Sequence, residues 1–101
     1  MLEDIFVYWT LMYSDVQQKV IWRSSNGEKD ILFWFMKTTI EINWNTYPII
    51  KKDINTNEWI EGLVISVNQD ELIKLDEYET SAYIRKKVIL DSWKEVWVYQ
   101  K

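Results

Sequence analysis

Residues 5–11 read Ile5-Phe6-Val7-Tyr8-Trp9-Thr10-Leu11, and the rest of the chain is best read outward from them. Ile5 to Tyr8 is a short, wholly apolar run and predicts a buried strand. Trp9 ends that strand where the chain must turn sharply. Ser14 with Gln17 three residues on has the form of a capping box. It predicts a short helix through Val16, Val20 and Ile21.

Ser24 to Asp30 is polar and reads as a loop. Ile31 to Ile42, rich in aromatic and β-branched residues, predicts a long strand with a break. Asn43 to Thr46 interrupts it, and Tyr47 to Ile50 resumes as a second strand, with Pro48 pointing to an edge or bulge. Lys51 to Asn57 is a charged loop, and Trp59 to Val67 alternates as a strand should. Asn68 with Glu71 supplies a second capping signature before a helix through Tyr78. Tyr83 to Leu90 and Glu95 to Tyr99 are strands joined by a hairpin at Asp91-Ser92-Trp93-Lys94. The order β-α-β-β-β-α-β-β predicts an α+β fold. It would be a mostly antiparallel sheet curled into a small β-barrel with two short helices, as one domain over residues 1–101.

Composition narrows the function. The 101 residues contain no cysteine and no histidine, which excludes disulfide scaffolds, thiol nucleophiles, zinc sites and Ser-His triads. Carboxylates, hydroxyls, lysine and backbone amides are what remain for chemistry. A net charge of −4 and a pI near 4.8 argue against nucleic acid as a partner. No apolar run approaches the roughly 20 residues that span a bilayer. Met1-Leu2-Glu3-Asp4 lacks the basic flank of a signal peptide. A cytoplasmic soluble protein is the expectation.

Tryptophan and glycine are inverted, with seven of the first and two of the second. Five tryptophans fall where glycine is wanted. Trp44 follows Asn43 in a hairpin turn, where Asn-Gly is the strongest short signal. Trp93 follows Ser92 in the last hairpin. Trp22 comes just after the first helix, at the usual place of an αL glycine cap. Trp34 interrupts a long strand, where glycine marks a bulge or corner. Trp9 stands at the end of the first strand. Trp97 and Trp59 read as ordinary strand residues. The expectation is that these five positions are UGA codons that mean glycine.

With glycine at position 9, Phe6 to Leu11 resembles the opening motif of the gamma-glutamylcyclotransferase-like superfamily. The likeness continues through Asp15-Val16, Trp22-Arg23, Asn43 to Ile50 with Tyr47-Pro48, and Ile60 to Val64. It extends over Leu75-Asp76-Glu77-Tyr78-Glu79, Tyr83-Ile84-Arg85 and Val96 to Tyr99, in order and over nearly the whole chain. The branch it is most similar to holds the short avirulence-induced-gene-like proteins and the gamma-glutamylamine cyclotransferases.

The resemblance implies an enzyme that cyclises a γ-glutamyl amine or amide. The substrate's α-amino group attacks its own side-chain carbonyl, giving 5-oxoproline and a free amine. Glu79 would be the general acid/base. Tyr8, Trp9, Thr10 and Leu11 would form the substrate loop, with Tyr83 near the pocket, and no metal or organic cofactor is implied. Two departures stand out: Trp9 replaces a glycine that lies against substrate in the family, and Thr80 follows the glutamate where glycine is common. Helical phase agrees on Glu79 independently. At 100° per residue it falls between Leu75 and Leu72, inside the apolar stripe that includes Ile73 and Tyr78, whereas Glu77 points away. A carboxyl so placed is desolvated and its pKa rises into a useful range for proton transfer. A catalytically silent binding module that keeps the pocket is the alternative reading. A structural domain using exposed aromatics is a third. Arg85, Lys86 and Lys87 read as a solvated strand face, and Phe33 to Phe35 as core.

Overall fold

The computed structural model describes residues 2–100. Seven strands and two α-helices follow in the order β1 (Glu3–Val7), α1 (Ser14–Ile21), β2 (Glu28–Phe33), β3 (Phe35–Ile42), β4 (Asn45–Lys52), β5 (Trp59–Val67), α2 (Gln69–Glu79), β6 (Ile84–Ile89) and β7 (Glu95–Gln100). Five strands form one sheet in the order β2-β5-β1-β7-β6, and β3 pairs with β4 as a separate hairpin. All pairings are antiparallel except β1 with β7.

The apolar part of β1, Ile5 to Val7, is buried because both faces of the sheet are covered there. Ile5 and Val7 join Leu11, Ile21, Leu72 and Leu75 beneath the helices. Phe6, on the opposite face, packs with Leu32, Phe35, Ile50 and Val98. The same period of two runs along β5 and β7. Ile65 and Tyr99 face the helices, while Val64 and Val98 face the hairpin. Gly62 in β5 lets the layers close up, since a Cβ there would stand 2.7 Å from the Phe6 ring.

The expected barrel does not form. The sheet is open, with β2 and β6 as its two edges. Trp34 breaks the long Ile31–Ile42 run at φ 65°, so β3 leaves the main sheet and pairs only with β4. The five strands left do not close on themselves. Between the β2 edge and the β6–β7 turn there is a bond from the Asp91 N–H to the Ile31 carbonyl (2.8 Å) and a Ser92–Asp30 side-chain contact, rather than a ladder.

Two local readings also change. Ser14 does not cap α1. The cap position is Tyr13, with no side-chain bond, because Gln17 turns inward instead of back to the helix start. The Ser24–Asp30 segment is loop only up to Gly27, and β2 begins at Glu28, where the chain meets Val64 of β5. The second capping box is present: Asn68 Oδ1 accepts from the Glu71 N–H at 2.8 Å, and Glu71 Oε1 accepts from the Asn68 N–H at 3.0 Å. Arg23 grips the same carboxylate through two nitrogens at 2.6 and 2.9 Å and donates to the Ser66 carbonyl at 2.6 Å. Its charge holds the Glu71 carboxyl below the usual range. Helix α2 is thereby fixed at its start.

Candidate active site

Three segments meet at the site. The first is the end of β1, where Tyr8 and Trp9 lead into a 3-10 turn at Thr10–Met12. The turn's own bonds run from the Met12 N–H to the Trp9 carbonyl and from the Tyr13 N–H to the Thr10 carbonyl, both 3.0 Å. The N–H groups of Thr10 and Leu11 are therefore not used within it. Tyr8 Oη donates to the Tyr99 carbonyl at 2.6 Å, tying this loop to β7.

The second segment is the last turn of α2. Leu72 and Leu75 are buried, and Glu79 follows Leu75 by four residues, so it shares their face. Ile73 and Tyr78, counted in that stripe from the sequence, are instead exposed. Tyr78 Oη reaches Thr10 Oγ1 at 3.1 Å, joining the helix end to the loop. The third segment is β4 with the start of β6. Tyr83 Oη donates to the Pro48 carbonyl at 2.9 Å and holds the hairpin against the helix end.

Tyr8, Trp9, Thr10, Leu11, Glu79 and Tyr83 thus line one cavity, with Phe6, Val7, Pro48 and Tyr99 completing its wall. It has about 20 Å³ of free space. An aromatic groove of about 340 Å³ abuts it, lined by Trp9, Ile42, Tyr47, Tyr78, Glu79, Thr80 and Tyr83. Trp9, Glu79 and Tyr83 line both spaces, and the Trp9 ring is edge-on to Tyr47 at 6.2 Å. Burial raises the Glu79 carboxyl to a pKa of about 7. Tyr8 and Tyr83 are pushed up as well, by burial and then by the charge of Glu79.

Some participants were not visible in the sequence. Gln17 is fully buried and donates to the Leu11 carbonyl at 2.7 Å. Its spacing of four from the buried Ile21 was the available signal. Asp76 accepts from Tyr99 Oη at 2.7 Å and from two nitrogens of Arg85 at 2.9 and 3.1 Å. Arg85 is therefore a partner of the helix rather than a solvated residue, while Lys86 is exposed as expected. Of Phe33 to Phe35, only Phe35 is core; Phe33 and Trp34 are exposed.

Residues 5–101 match the family described as "Gamma-glutamyl cyclotransferase, AIG2-like". The chain belongs to that family. Among solved structures, the cyclotransferase-like chain is similar to two Arabidopsis thaliana proteins studied in solution. One has a TM-score of 0.79 at 22% identity, covering 99% of this chain and 62% of the other. The second has a TM-score of 0.79 at 25% identity, covering 98% and 68%. A structure named as a gamma-glutamyl cyclotransferase aligns with a TM-score of 0.70 at 15% identity, covering 99% and 66%. The chain spans 62% of the length of the first of these structures. No curated protein matches it. No helix among the described residues is long and apolar enough to cross a membrane.

Proposed function

We propose that this protein converts a γ-glutamyl amine or amide to 5-oxoproline and a free amine, with Glu79 as general acid/base. The observation that carries the reading is the Glu79 carboxyl itself, half-buried at the cavity, raised to about 7 and opposite the Tyr8–Leu11 loop. A base near neutrality can take a proton from the substrate ammonium and return it to the departing nitrogen. The freed amine attacks the γ-carbonyl, closing a five-membered ring, and the C–N bond to the leaving amine then breaks. Because the attack is intramolecular, the protein has mainly to hold the reactive conformer. The N–H groups of Thr10 and Leu11 would receive the oxyanion and the substrate carboxylate. The aromatic groove offers the leaving amine its path, and since its only charged lining residue is Glu79, an apolar amine suits it best.

A screen of γ-glutamyl amides for released 5-oxoproline tests this, with γ-glutamyl arylamides and γ-glutamyl amino acids side by side. Turnover with preference for the arylamides is expected once Trp9→Gly opens the cavity, and no product from any member with that variant would sink the reading. The second reading, a binding module without turnover, is favoured by one observation: the cavity, with Trp9 in its wall, has only about 20 Å³ of free space. Thermal stabilisation by a γ-glutamyl amide without product would identify it.

A further inference from the structure

Six residues other than glycine have positive φ among those described, and four are tryptophans: Trp22 (65°), Trp34 (65°), Trp44 (71°) and Trp93 (69°). A Cβ makes this region costly, and a bulky side chain has no local hydrogen bond to offset it. Each sits in a motif that asks for glycine. Trp22 is the αL residue closing α1, its N–H donating to the Gln18 carbonyl. Trp44 follows Asn43 (φ 51°), and Ile42 pairs with Asn45, which makes a two-residue turn with both central φ positive. Trp93 ends a three-residue loop closed by the Trp93 N–H to the Leu90 carbonyl (2.9 Å) and the Leu90 N–H to the Lys94 carbonyl (3.0 Å). That is the αL position of a bulged hairpin. Gly27 (φ 64°) shows the chain using glycine for the same backbone need.

The indoles do nothing that would explain their presence. Trp22, Trp34, Trp44 and Trp93 are 71%, 61%, 93% and 85% exposed. Two contacts stand against this, the Lys74 ammonium 3.4 Å from the Trp22 ring centroid and the Phe33 ring 6.3 Å from that of Trp34, and such exposed pairs are weak. The two tryptophans inside strands differ. Trp97 is half-buried, donates to Glu3 Oε2 at 3.2 Å and carries Arg85 and Lys87 over its ring. Trp59 pairs with Phe33 in regular extended backbone.

We infer that the natural chain carries glycine at positions 9, 22, 34, 44 and 93, each encoded by a UGA codon that its own cell decodes as glycine. UGA is a single base from the tryptophan codon UGG and from the glycine codon GGA, so one reassigned codon accounts for all five. Position 9 rests on a different observation, since its φ is −142°. Its indole is one of three side chains, with Glu79 and Tyr83, that line both the cavity beside Glu79 and the aromatic groove. About 20 Å³ holds a single water, not a glutamyl group. Glycine at position 9 joins the two spaces into one site of substrate size.

The gene's codons and the peptide masses of the protein from its source cells test the inference directly. UGA and glycine masses at the five positions, with UGG and tryptophan at 59 and 97, are expected. UGG at any of the five overturns it there. A fourfold variant, Trp22→Gly, Trp34→Gly, Trp44→Gly and Trp93→Gly, should melt roughly 10 °C above the present chain. An unchanged or lower melting temperature counts against it. For position 9, which draws on the cyclotransferase reading, Trp9→Gly should tighten calorimetric binding of 5-oxoproline about 10-fold or more. UGA at all five codons with no binding by that variant and no turnover of any γ-glutamyl amide would sink the cyclotransferase reading alone.

Discussion

The buried side-chain amide of Gln17 donates to the Leu11 carbonyl and accepts the Ser25 N–H, each at 2.7 Å. One side chain of α1 thereby sets the height of the candidate substrate loop and the exit of the helix. Gln17→Glu keeps an acceptor for Ser25 and loses the donor to Leu11. It should destabilise the protein by about 1–3 kcal/mol, the cost of unmet buried groups. If the loop binds substrate, KM should rise more than kcat falls. Melting curves and 5-oxoproline kinetics on the same samples check both, and an unmoved KM would confine Gln17 to stability.

Glu79→Gln should leave the fold intact and cut turnover by about 10²-fold or more, because the amide cannot carry the proton. Glu77→Gln, on the exposed face of the same helix, should change little. Equal rates for parent and Glu79→Gln would remove the carboxylate from the reaction.

The same residue ties stability to pH. Its carboxyl is raised from 4.5 to about 7 by burial, so the folded state holds a proton that the unfolded chain has released. Stability should therefore fall as pH rises from about 4.5 to about 7, by a total on the order of 3 kcal/mol, and stay flat above. Glu71, lowered by Arg23, acts oppositely: its contribution is lost only as pH falls below the ordinary carboxylate range. Denaturant midpoints at pH 5 and 8 separate the two. Glu79→Gln should match the parent at pH 5 and exceed it at pH 8.

Thr80 holds φ 66° and ψ −179°, a region open in practice to glycine alone. This departure from the family's glycine is a strained one, directly after Glu79. Thr80→Gly should stabilise the protein by about 1–3 kcal/mol. A melting temperature below the parent's would mean that the Thr80 side chain, whose Oγ1 accepts from the Ala82 N–H at 3.3 Å, outweighs the strain.

How far the sequence could be read depended on the range of the interactions. The strand run Ile5–Tyr8, the Asn68 capping box and the inward phase of Glu79 are local patterns, and each points to its element or face without a fold in hand. The tryptophans at turn positions were legible for the same reason, because αL demand is set by the nearest few residues. The barrel was not. Closure depends on whether distant edges meet, and the kink at Trp34 that prevents it changes direction rather than composition. Gln17, Asp76 and the Pro48 carbonyl enter the site's support through partners 6 to 35 residues away. Only the Gln17–Leu11 pair fits a short window; the Asp76–Tyr99 and Tyr83–Pro48 pairs do not.

The parallel pairing of β1 with β7 puts nearly the whole chain between two neighbouring strands. Neither β6 nor the Tyr99 contacts to Tyr8 and Asp76 can be in place before β7 arrives. A ribosome releasing this protein therefore exposes β1, α1 and the hairpin well before the sheet that covers them is complete. Folding must wait for β7 and, for a domain this size, should be slow, with a transition state that forms only when this strand docks. Substitutions in β7 should then slow refolding, while those at the β3–β4 tip should mainly speed unfolding.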